Sequence, residues 1–155
     1  MKCYFHGSVN GEDQLCHQLG TVSFAIPDLG IIFRSRWTGN LIECQYAALL
    51  SLLQFLEKNR KLLKDNKAEI LSDASVVVYQ LTKDDFIYKS IESYYRLVQT
   101  YKSKFAFKVH WIPEKENTAF YGLVDTPPMK PSVEIHYDIK NADKTMNRRG
   151  GVLPM

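Results

Sequence analysis

Two spacings of apolar residues divide this chain. Across Lys2–Val9, Gly20–Ile26 and Ile31–Trp37 the apolar positions keep the short, alternating rhythm of β-strands. Asn10-Gly11 and Pro27-Asp28-Leu29-Gly30 lie between them as turn signals. Three strands joined by short turns predict an antiparallel meander. After Gly39-Asn40 the spacing lengthens to three and four residues. Ile42, Tyr46, Leu49, Leu53 and Leu56 fall on one helical stripe, and Ala47, Ala48, Leu50, Leu52 and Phe55 widen it. A helix with so little polar face is expected to lie against the sheet.

Beyond that helix, Ala68–Ser72 reads as a short strand ending at Asp73. The run Ser75–Leu81 is ambiguous, and its three valines favour a strand. Thr82 with Asp85 predicts a capped helix start, continued by Ile87, Ile91, Tyr94, Tyr95, Val98 and Tyr101 at helical spacing. Phe105–Trp111 alternates as a fifth strand that Pro113 ends, and Asn117–Val124 has room for one or two helical turns. From Thr126 the texture changes. Pro127-Pro128, Pro131 and the polar, basic end from Lys140 to Pro154 predict an extended tail over 126–155, with the domain itself over residues 1–125. The order predicts an α/β domain: a five-stranded mixed sheet, three strands in a meander plus two more, flanked by helices.

Length and composition agree with that reading. The chain has 155 residues, 45% hydrophobic and 24% charged, which suits one domain with a sizeable core. No apolar run approaches the ~20 residues of a membrane helix, and Met1–His6 lacks the apolar stretch of a signal peptide. The expected location is cytoplasmic, with no membrane partner. Cys3, Cys16 and Cys44 are odd in number and lack metal-type spacing, against a disulfide framework or a zinc site. The net charge of +3 permits a nucleic-acid partner. Lys58, Arg60, Lys61, Lys64 and Lys67 gather after the central helix, where they serve either as a solvated helix end or as a phosphate-contacting patch.

The residue that invites chemistry is Glu43. The dipole favours a carboxylate in the first helical turn, yet Glu43 stands roughly in line with the buried stripe.

This order of elements, with four local patterns, resembles the ribonuclease H-like fold and type 1 ribonuclease H in particular. The first strand ends His6-Gly7-Ser8, where the family has an Asp-Gly-Ser-like turn. The long helix opens Asn40-Leu41-Ile42-Glu43, like the family's Asn-x-x-Glu. The fourth strand ends Leu71-Ser72-Asp73, and the fifth runs into Asn117-Thr118-Ala119-Phe120-Tyr121. The match spans about residues 2–125.

The family's site uses four carboxylates to hold two divalent ions, which cleave the RNA strand of an RNA–DNA hybrid. The resemblance assigns Glu43 and Asp73 to two of those positions as catalytic and metal-binding residues. His6 stands in the first and Tyr121 in the last; a slip of one residue puts Phe120 there instead. Asp125, one helical turn on, is within reach of that end of the site. With His6, Glu43 and Asp73 as ligands, at most one ion is expected, Mg²⁺ or Mn²⁺, because an imidazole nitrogen suits Mn²⁺, Fe²⁺ or Zn²⁺ better than Mg²⁺. Ser8, Asn10, Asn40 and Ser75 are the expected contacts to a hybrid near the site, and Lys58, Arg60, Lys61 and Lys64 its more distant phosphate partners. Structural roles stand beside these: a hydrogen-bonded histidine at His6, helix caps at Asp73 and Glu43, and packing at Tyr121.

Three functions follow. The first is a nucleic-acid-binding domain with a degraded metal site and weak or absent nuclease activity. The second is a divergent metal-dependent ribonuclease, and the third a silent interaction domain whose tail engages a protein.

Overall fold

The computed structural model describes residues 1–83, 85, 89–122 and 133–137, with Lys64 and 133–137 described by their backbone alone. The predicted meander forms: β1 (Lys2–Val9), β2 (Gln18–Ile26) and β3 (Ile31–Gly39) pair antiparallel in succession. On the other side of β1 lie β4 (Lys67–Ser72) and β5 (Ala106–Trp111), both parallel to their neighbours. The sheet has one strand more than the five expected. Residues Val133–Tyr137, within the stretch read as a tail, form β6 and pair parallel with β3. The strand order is β5-β4-β1-β2-β3-β6.

Helix α1 (Leu41–Lys58) covers the centre of the sheet. Its buried face of Tyr46, Leu49, Leu50, Leu53 and Leu56 packs with Cys3 and Phe5 of β1 and Val22, Phe24 and Ile26 of β2 in the main core. Alternation along β1 turns Tyr4 to the opposite face, where it meets Ala25, Ile32 and Ala119 in a second, smaller cluster.

The ambiguous run resolves, and one local expectation needs correction. Ser75–Lys83 is helix α2, as the resemblance implies after Asp73: Val77, Val78 and Leu81 are buried at helical spacing, and packing overrides the β-preference of valine. Thr82 therefore lies inside α2 and does not cap the next helix. That helix, α3 (Glu92–Lys102), is entered through a single 3-10 turn at Lys89–Ile91. Ile87 lies outside the described residues. The turn expected after β5 is the short helix α4 (Thr118–Tyr121). All three cysteines are free, Cys3 and Cys44 buried and Cys16 exposed.

Candidate functional site

Because β1 and β4 run parallel side by side, their C-terminal ends point the same way. That places His6, near the end of β1, beside Asp73, the first residue after β4. His6 Nδ1 lies 3.0 Å from Asp73 Oδ1. Asn117 reaches the same carboxylate from the start of α4. Its Nδ2 donates to Asp73 Oδ1 at 2.6 Å and to the Phe5 carbonyl at 2.8 Å, while its Oδ1 accepts from Ala119 N at 3.0 Å. Asn117 is fully buried, so one side chain caps α4 and ties it to both strands.

These bonds fix the protonation pattern. Burial opposes charge on Asp73, but the His6 and Asn117 hydrogen bonds outweigh it and hold the carboxyl below its ordinary value of 3.8. An ionised carboxylate only accepts, so His6 Nδ1 carries the proton in this bond. The other ring nitrogen, Nε2, is buried and has no partner among the described residues. The Phe120 ring packs edge-on against the imidazole, 4.7 Å between centroids. Phe120, not Tyr121, is thus the neighbour of His6, as the one-residue slip anticipates. Tyr121 is exposed and packs on Phe120 instead.

The long helix reaches this place through a gap left for it. A Cβ on Gly7 would stand 2.6 Å from Gln45 N and 2.7 Å from the Cys44 carbonyl carbon. Glycine here lets the backbones of β1 and α1 touch. The helix residues that line the resulting cleft are Leu41, Ile42 and Gln45. Glu43 is not among them. It closes a capping box, accepting from Asn40 N at 2.9 Å while Asn40 Oδ1 accepts from Glu43 N at 2.9 Å. The Tyr94 hydroxyl lies 3.5 Å from its other oxygen. Glu43 and Gln45 are two residues apart, about 200° around a helix, so they cannot serve one cleft.

The cleft holds about 520 Å³, and His6, Ser8, Asp73, Ser75 and Glu114 share its wall with Gln45. The other expected contacts fall differently. Asn10 is exposed in the β1–β2 turn, and Asn40 is the N-cap of α1. Lys58, Arg60 and Lys61 are exposed at the far end of α1; Lys58 follows Gln45 by 13 residues, about 20 Å of helix. The Arg60 guanidinium donates to the Lys104 carbonyl. Lys64 is described only by its backbone, and Asp125 lies outside the described residues.

Gln45, Glu114 and the tethering role of Asn117 escaped the sequence reading. The signal for Gln45 was Gly7, since a glycine in a strand marks a close backbone approach. Glu114 sits in a turn after β5 that no periodicity covers.

A pair of Mg²⁺ ions does not fit these residues. One oxygen of Asp73, Oδ1, already accepts from two protein donors, and Gln45 brings no charge. His6, Asp73 and Glu114 do bring one ligand atom each within 4.8 Å of one another. One nitrogen and two carboxylates are a donor set for a single Mn²⁺, Fe²⁺ or Zn²⁺ ion.

No family model and no curated protein matches this chain by sequence. Solved structures do match it by shape. LC11-RNase H1 in complex with an RNA/DNA hybrid superposes with a TM-score of 0.64 at 15% identity, over 75% of this chain and 87% of that one. RNase H1 from the halophilic archaeon Halobacterium salinarum NRC-1 gives 0.61 at 14% identity, over 76% and 89%. The N-terminal RNase H domain of rv2228c from Mycobacterium tuberculosis, solved as a fusion with maltose-binding protein, gives 0.58 at 16%, over 77% and 94%. The fold of this chain is ribonuclease H-like.

Proposed function

We propose that this ribonuclease H-like domain binds RNA–DNA hybrid, or a related duplex, and that its metal site is degraded, with weak or absent nuclease activity. The observation that carries this reading is the hydrogen bond from His6 to Asp73. Two-metal hydrolysis needs ions ~4 Å apart, held by enough negative charge to sit against a phosphate. An imidazole N–H on Asp73 Oδ1, in place of a further carboxylate, supports the reading that this charge is lacking. Gln45 and Phe120 beside it are uncharged, and among the described residues Glu114 is the only other acid on the cleft wall.

Binding needs less. A hybrid is recognised through backbone and 2′-hydroxyl contacts across its minor groove, which hydroxyl and amide side chains supply. Ser8, Ser75 and Gln45, which line the cleft, would supply them, with Asn10 exposed in the β1–β2 turn. Lys58, Arg60 and Lys61, about 20 Å away along the helix axis, would meet phosphates farther along the same duplex and make affinity salt-dependent. Among the described residues no helix is long and apolar enough to cross a membrane.

The cluster of His6, Asp73 and Glu114 favours one alternative, a divergent ribonuclease using a single Mn²⁺-like ion. An end-labelled RNA–DNA hybrid incubated with Mg²⁺ or Mn²⁺, beside Asp73→Asn, separates the two. The binding reading expects a shifted but intact hybrid with either metal. Metal-dependent cutting that Asp73→Asn abolishes would establish the enzyme instead.

A further inference from the structure

At the opposite edge of the sheet from β6, β5 pairs only with β4. Among the described residues no other strand pairs with its outer edge, so its outward N–H and C=O groups have no strand partner among them. Two hollows flank this edge, one on each face. Toward α2 lies a hollow of about 390 Å³ lined by Val78, Leu81, Phe107, Val109 and Trp111, the last 55% exposed. Behind the strand lies one of about 650 Å³ lined by Met1, Lys67, Glu69 and Phe105 among others. Lys102, Lys108 and His110 border both.

Side chains of an extended strand alternate between faces. A seventh strand laid on β5 would therefore drop successive side chains into the two hollows in turn. The charge of the rim selects the kind of strand. Among the described lining residues three lysines and His110 stand against one carboxylate, Glu69, so an acidic segment is favoured. A second copy of β5 would oppose Lys108 and His110 to their like. The chain's own 138–155, with Lys140, Lys144, Arg148 and Arg149 against Asp138 and Asp143, is also basic. We propose that the β5 edge is a docking site for an acidic, extended peptide of a protein partner, held by strand addition. The site is separate from the His6–Asp73 cleft and does not depend on how that cleft works.

The probe is a fluorescein-labelled twelve-residue peptide alternating valine and glutamate, titrated into the full chain at low salt. Saturable binding is expected. It should weaken at least tenfold in K102E/K108E, vanish when the peptide's alternate amides are N-methylated, and survive H6A. Exchange at the alternate β5 amides that face away from β4 should be fast in the free protein and slow with peptide bound. Equal binding of the N-methylated peptide would reduce the site to charge attraction and overturn strand addition. Slow exchange of those outward amides in the free protein, or a β5-linked dimer, would show the edge already taken and overturn the proposal. Displacement of the peptide by oligo(dT), with quenching of Trp111, would make the surface a nucleic-acid site.

Discussion

His6 Nδ1 stands 3.0 Å from Asp73 Oδ1, so one protein hydrogen bond fills the place where two strand ends meet. The bond makes a structural demand as well as a chemical one, because both groups are largely buried. Asp73→Ala leaves two donors, His6 Nδ1 and Asn117 Nδ2, without this acceptor. The expected cost is about 1–3 kcal/mol, read as a lower denaturant midpoint with an unchanged slope. A midpoint equal to the parent's would show that water replaces the carboxylate freely.

The pH dependence has a definite sign. Folding holds the Asp73 carboxyl below 3.8, so the folded state binds its proton more weakly than the unfolded chain. Its contribution is complete above the ordinary carboxylate value and is lost as pH falls through the depressed folded one. Acid titration of stability should therefore be shallower in Asp73→Asn than in the parent below about pH 4. Parallel curves would remove Asp73 from the acid transition.

Gly7 is the hinge of the geometry, since a methyl group there meets the backbone of α1. Gly7→Ala is expected to cost about 1–3 kcal/mol through overpacking. Gly11→Ala is its control. The added carbon there would lie 2.5 Å from the flexible end of Gln18, and the change should stay within about 0.5 kcal/mol. Similar losses at both positions would mean that the close approach of β1 and α1 is not special.

Restoring carboxylates should restore ion binding. The triple change His6→Asp, Gln45→Glu and Phe120→Asp places new acids around Asp73, where they repel one another until a cation arrives. The variant should unfold at a lower temperature than the parent in chelator and regain several degrees in millimolar Mn²⁺, as ligand binding to the native state requires. An equal Mn²⁺ effect in the parent would show that the present residues already hold the ion well.

The sheet was legible because its strands carry an alternation that only one face of a core explains, and the long helix because its stripe never breaks. Ser75–Leu81 stayed ambiguous by composition because three valines state a local preference that burial of Val77, Val78 and Leu81 overrides. Residues 133–137 gave no strong strand signal amid prolines and charges, and they pair only at the edge beside β3. In the site, His6 and Asp73 could be placed because one lies near the end of β1 and the other directly follows β4. Glu43 stood out for its charge, but a carboxylate three residues after Asn40 is also half of a capping box. The helix rotation that turns Gln45 inward depends on the contact at Gly7, which is tertiary and not written in the helix itself.

The central claim is that the cleft binds a hybrid without needing metal. Its most direct test is fluorescence anisotropy of a labelled RNA–DNA hybrid with the intact chain, in chelator and in Mn²⁺, for the parent and for Ser8→Ala/Ser75→Ala. The account predicts salt-sensitive binding of equal strength in both buffers, weakened by the serine changes. Binding that disappears in chelator, or no binding at low salt, would contradict it.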